Sequence, residues 1–249
     1  MMNLKYLDPF ESGHRLALIV TVLLAIGMAI DLIATVSGLS QAALISSVAA
    51  GRAITDDEAM ANDARQMLIG IIQLMMFVAT AICFLIWIHR AHKNLPALGV
   101  AHLEYSPVWA VGGFFVPFLN LVRPFQVVRE IWKASDPDVD FSIPHSWQYA
   151  ASTPVIGFWW AAWLIGSIVG QIAFRLSLRQ NTSIDDMMAI TYLTIASDLI
   201  GIIAGAFAIV IVRGIDERQE RKFRRLIELY TPPQPPPPPP NNIAWSQKA

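Results

Sequence analysis

Two carboxylates stand in stretches otherwise suited to lipid: Asp31 in the apolar run 16–37 and Asp198 in the run 187–212. A charged side chain at the bilayer centre costs roughly 2.5–3.5 kcal/mol on insertion scales. Each carboxyl must therefore be protonated, paired or turned to water. No Lys or Arg lies deep in any apolar run, so neither has an ion-pair partner there. Gln73 and Gln171 fall at similar depth in the outer parts of two further runs. All four side chains are expected to converge on one polar pocket that opens outward. Such a pocket suits a proton or a cation, the chemistry of a small transporter or proton-coupled permease. The same four groups also suit interhelical hydrogen bonds that only hold a bundle in register.

The runs that must position these residues number four: 16–37, 67–88, 155–174 and 187–212. Crossing ~30 Å of hydrocarbon takes about 20 helical residues, and lipid offers no partner for free backbone groups, so each run must be a helix. Composition agrees. Hydrophobic residues make up 55% of the chain and charged residues 15%, with mean hydropathy +0.48, against about 25% charged in soluble domains. The net charge of −1 gives no reason to expect nucleic acid. A single cysteine, Cys83, excludes an intrachain disulfide. The first run follows a polar lead containing Asp8, Glu11 and Arg15 and reads as a retained signal anchor.

Lys and Arg orient the bundle. With four spans and residues 1–15 inside, the basic residues divide 14 inside to 4 outside. Both termini are then cytoplasmic, in a cell (inner) membrane. Residues 107–122 (PVWAVGGFFVPFLNLV) are apolar but short and interrupted by Pro117, which marks an interfacial or re-entrant element. Were they to cross, the best division would be 12 to 6.

A second group of residues capable of recognition lies in 106–134. Pro107, Pro117 and Pro124 break helices, which predicts a short entering helix, a turn near Asn120 and a helix from Pro124 to Ala134. Aromatic Trp109, Phe114, Phe115 and Trp132 suit the membrane interface, and Arg123, Arg129 and Lys133 suit phosphates. A lipid-headgroup or partner-binding platform of Trp109, Asn120, Arg123, Arg129, Glu130 and Trp132 is the functional expectation. A structural elbow with snorkelling charges is the plainer one.

The spaced residues here are distinctive. Trp87-x-x-Arg90 with Asn94 is followed by Ser106-Pro107-x-Trp109-Ala110-Val111-Gly112. Then come Pro117-x-x-Asn120-Leu121-x-x-Pro124 and Glu130-Ile131-Trp132. With Trp159, Trp160 and Trp163, this pattern resembles the bacterial membrane family of domain of unknown function 4328, over about 73–212. The resemblance implies a multi-span membrane protein and no particular chemistry.

Other features add organisation. Thr55-Asp56-Asp57-Glu58 resembles a helix start. Rows of small residues, Ala162/Gly166/Gly170 and Ser197/Gly201/Gly205, are expected to face each other across a hairpin. Residues 213–230 read as a charged juxtamembrane helix with weak surface contact, and 231–249 as a proline-rich disordered tail able to meet a protein partner. His89 and His92, with His102 nearby, read as solvated juxtamembrane histidines and not as a metal site. No nucleophile–base or nucleotide-binding pattern occurs, so no enzyme and no cofactor is expected. The expected fold is an all-α, polytopic membrane bundle of four transmembrane helices plus an interfacial or re-entrant segment. Its expected role is a non-enzymatic scaffold or sensor that meets membrane lipid, and a cytoplasmic protein, through the elbow or tail.

Overall fold

The computed structural model describes residues 9–139, 143, 145–179 and 183–230. The first eight residues and the proline-rich tail lie outside them.

The chain is all-α. Helix α1 spans His14–Ala49, α2 Asp56–Ala97, α3 Pro107–Gly112, α4 Arg123–Ala134, α5 Val155–Ser177 and α6 Ile184–Tyr230. Short 3-10 turns lie at Leu119–Leu121 and Ser146–Tyr149. Helices α1, α2, α5 and α6 are each long and apolar enough to cross a membrane. Residues 107–122 form no such helix: α3 has 6 residues and ends in turns before the 3-10 element.

Local chemistry sets several boundaries. Thr55 caps α2 by accepting from Glu58 N at 3.2 Å, while the Glu58 carboxylate accepts from Thr55 N. Asp56, Asp57 and Glu58 then suit the positive end of the helix dipole. At the far end Gly99 takes a φ of 78°, which costs glycine no Cβ clash, and Val100 N donates back to Leu95 O. Pro124 sits in the first turn of α4, where its missing N–H removes no helical bond.

Helices α1 and α6 pack side by side, with α2 against α1 and α5 against α6. Close approach depends on glycine, although the two rows of small residues divide differently from the sequence expectation. Gly166 and Gly170 do face α6: a Cβ on Gly170 would lie 3.0 Å from Ser197 Oγ, which itself donates to Gly166 O. Gly201 and Gly205 instead face α1, where a Cβ would meet Asp31 at 3.2 Å and Met28 at 2.9 Å. Ser197 serves α5 and the two glycines serve α1, because α6 is the central helix with a neighbour on two sides.

The main core is not in the apolar middle. It lies at one end, which we term the capped end, and is built from Trp87, Ile88, Leu95, Val127, Ile131, Ile156, Ile211 and Ile215, among others. There α4 lies across α2, α5 and α6. Helix α6 has 47 residues, about 70 Å at 1.5 Å each, so it runs well beyond ~30 Å of hydrocarbon. Residues 213–230 are thus no separate helix with weak surface contact. They continue α6, and Ile215, Asp216, Gln219 and Lys222 on one face are buried in the cap.

Candidate functional site

Three of the four polar residues foreseen inside the spans do meet. Gln73 Nε2 donates to Asp31 Oδ1 at 2.9 Å and to Asp198 Oδ1 at 3.0 Å. One amide group, with its two hydrogens, thus clasps α2 to α1 and α6 together. Gln171 stands apart: it is exposed on α5, and the rotation that turns Gly166 and Gly170 onto α6 carries it away. The clasp matters for α2, since none of the residues in the most apolar stretch of α2 is buried within the protein. Nearer the Thr55 end, Arg65 Nε donates to Ser37 Oγ at 2.9 Å and Gln66 Nε2 to Ser37 O at 3.2 Å.

The six residues of the foreseen platform separate into two sets. Trp109 is exposed, Arg129 is exposed on α4, and Asn120 is half-exposed in the 3-10 turn. The Arg123 guanidinium lies 4.8 Å from the centre of the Tyr105 ring. Glu130 and Trp132 point the other way, into the cap. Glu130 accepts from Glu104 N at 2.7 Å and pairs with His92 Nε2 at 2.9 Å. Trp132 packs over Gly214, where a Cβ would come within 2.6 Å of its ring, and lies under the Arg218 guanidinium at 4.3 Å. The physical reason is the α4 stripe: Val127, Val128, Glu130, Ile131 and Ala134 are all buried against neighbouring helices, not against lipid.

His92 departs furthest from the solvated histidine expected there, for it is 0% exposed. Its partner Glu130 sits 38 positions along the chain, a pairing no local pattern announces. His89, His92 and His102 form no cluster. His102 stacks on His145 at 4.5 Å between ring centres, and among the described residues no three metal-ligating side chains converge.

Sequence reasoning missed the grip between α6 and the end of α4. Arg218 pairs with Asp136 at 3.0 Å, Gln219 Nε2 donates to Ser135 Oγ at 3.1 Å, and Lys222 Nζ donates to Ala134 O at 2.8 Å. Arg225 reaches Asp138 and the Pro137 carbonyl. These cations meet the negative end of the α4 dipole. Burial pushes the Lys222 ammonium down to about 8, a fall the nearby Asp136 charge partly opposes. The spacing 218, 219, 222, 225 is one helical face, a signal the sequence carried.

Between α3 and α4 the surface is apolar and open. Phe118 is 85% exposed, Val108 72%, Phe115 69% and Trp109 60%. The element is fixed from behind: Phe84 of α2 meets Phe114 edge-on at 6.5 Å, and Trp160 Nε1 of α5 donates to Leu121 O at 2.8 Å. Phe84 and Trp160 both lie toward one end of the apolar stretches of their helices, so the elbow packs beside those ends.

The family model described as Domain of unknown function (DUF4328) matches residues 50–217 of the chain. No curated protein and no solved structure matches it.

Proposed function

We propose that this chain, which belongs to the DUF4328 family, is a non-enzymatic membrane scaffold or sensor whose elbow, Pro107–Val122, seats in the inner leaflet. The observation that supports it is the outward set of Val108, Trp109, Phe115 and Phe118. Arg123 lies against Gly113 within this element, and Arg129 is exposed further along α4. An exposed apolar set of this kind marks a membrane or protein contact, and basic residues at its edge suit anionic headgroups, worth about 1 kcal/mol per Lys or Arg. The excess of Lys and Arg on the side of the capped end supports a cytoplasmic cap.

The test uses a nitroxide at Phe118→Cys on a Cys83→Ser background, in liposomes containing phosphatidylglycerol. The label is expected to be relaxed by oxygen and shielded from a water-soluble nickel complex. Free access of the nickel complex would defeat the elbow reading. Orientation has its own check: Gly51→Cys should react with an impermeant reagent outside intact cells, while Asp138→Cys should not.

The Gln73 clasp favours one second reading, a proton- or cation-coupled carrier working through Asp31 and Asp198. In proteoliposomes, unchanged proton and sodium flux in the Asp31→Asn, Asp198→Asn double variant would remove it.

A further inference from the structure

Residues 9–13 cross the capped end as a strap laid between the ends of α2 and α6. Three of its five residues, Phe10, Glu11 and Ser12, meet side chains of the cap. The Phe10 ring stacks on Phe223 of α6, 4.2 Å between centres and 23° from parallel. The side-chain amide of Asn94 on α2 reads the Glu11 backbone twice: Nδ2 donates to Glu11 O at 2.8 Å, and Oδ1 accepts from Glu11 N at 3.3 Å. That is how a neighbouring β-strand would pair with an extended chain. Arg90 pairs with the Glu11 carboxylate, and the Ser12 hydroxyl donates to Glu220. His14 Nδ1 then meets Asp216 at 2.8 Å.

The groove beneath belongs to the buried cap. Asn94 is 2% exposed and Gln219 3%, with Asn94 Nδ2 also within 3.4 Å of Gln219 Oε1. Gln219 is fixed in turn by bonds to Ala91 O and Ser135 Oγ. Above it, Glu11 and Ser12 are exposed. Exposed ion pairs are individually weak, and the strap's hydrogen bonds replace bonds that water would otherwise make. A strap held this way can leave without unfolding the helices under it. Once it leaves, the Asn94 amide loses both backbone partners, and any extended peptide that restores them is favoured.

We propose that the groove between the ends of α2 and α6 is a peptide-docking site, which the chain's own residues 9–13 occupy as a displaceable pseudo-ligand. The partner it fits is an extended peptide presenting an aromatic residue, then an acidic one, then a hydroxyl. The aromatic covers Phe223, the acid meets Arg90, the hydroxyl meets Glu220, and Asn94 reads the backbone between them. This site lies on the faces of α2 and α6 and is independent of the lipid-seated elbow. The tethered strap competes at an effective concentration on the order of millimolar, so it holds the site shut against weak or dilute ligands.

The experiment measures anisotropy of a fluorescein-labelled peptide carrying residues 7–14, added to the protein in nanodiscs. Two proteins are compared: the full chain, and the full chain with Phe10→Ala and Glu11→Ala, which loosens the strap while keeping its length. The loosened protein is expected to bind the peptide about 100-fold more tightly than the unaltered one. Adding Asn94→Ala to the loosened protein should abolish most of that binding, as should replacing the phenylalanine and glutamate of the peptide by alanine. No peptide binding to a loosened protein that keeps its helical circular dichroism and melting temperature would overturn the proposal. So would binding that ignores Asn94→Ala, or equal binding to both proteins. Light scattering supplies the last arm: a dimer that requires both Glu11 and Asn94 would assign the groove to a second copy's strap and defeat the foreign-peptide reading.

Discussion

At the scale of single residues, the buried polar groups of the cap are costly to leave without a partner. Glu130 is 3% exposed and accepts from His92 and from the Glu104 backbone. Removing one member of such a pair leaves its partner buried without a hydrogen bond, which costs about 1–3 kcal/mol. Glu130→Ala is expected to lower the stability of the cap by that order, read as earlier loss of tryptophan fluorescence in denaturant. Lys222 makes a sharper prediction because its direction in pH is fixed. Its ammonium ionises near 8 in the fold and near 10.5 when unfolded, so between these values the unfolded chain binds more protons. This residue's contribution to stability therefore rises as pH increases from about 8 to 10.5. Lys222→Met should flatten that rise, as followed by melting temperature against pH in both proteins.

At the scale of elements, glycine sets the spacing between helices, and the consequences differ by neighbour. A Cβ on Gly214 would stand 2.6 Å from the Trp132 ring, which is itself held under Arg218. A Cβ on Gly205 would meet Met28, a flexible side chain that can turn aside. Gly214→Ala is expected to destabilise by about 1–3 kcal/mol and Gly205→Ala by less, a ranking that paired unfolding curves would reverse if the α4–α6 contact is loose. The Gln73 clasp belongs to this scale too. Gln73→Leu should leave the capped end intact yet widen the distance between spin labels at Leu74 on α2 and Ile200 on α6. An unchanged distance distribution would mean the clasp does not hold α2.

The sequence was informative wherever one residue type has one physical use. The four apolar runs, the Thr55 start and the three prolines around the elbow all follow from rules with no knowledge of neighbours. Partner identity was not local. Glu130 looked like a surface group because α4 is amphipathic, and an amphipathic helix at an interface reads the same whether its apolar stripe meets lipid or protein. His92 was misjudged for the same reason, its partner being far along the chain. Gln171 and the α6 glycines depend on helix rotation, which hydropathy does not report. The Arg218/Gln219/Lys222/Arg225 face was there to be seen, but so dense a run of charge invites a solvated reading.

At the scale of the whole molecule, support is uneven from end to end. The capped end holds the main core together with a polar network, whereas the apolar middle of α2 has no buried residue and is tied to α1 and α6 through its own Gln73. The two regions should separate in hydrogen exchange, with backbone amides of α4 and of α6 near Ile215 protected longest and those exposed beyond Asp56 exchanging first.

The unbroken run of α6 has a mechanical consequence. An α-helix turns 100° per residue, and the face formed by Arg218, Gln219, Lys222 and Arg225 fits the end of α4 at one azimuth only. Anything that twists α6 near Ser197, where α5 touches it, or near Gly201 and Gly205, where α1 does, therefore applies torque to the cap some tens of ångströms away. A continuous helix clamped at one end in this way is expected to pass rotation at its middle on to the cap, which a change in spin-label distance between α4 and α5 on substitution at Gly201 would reveal.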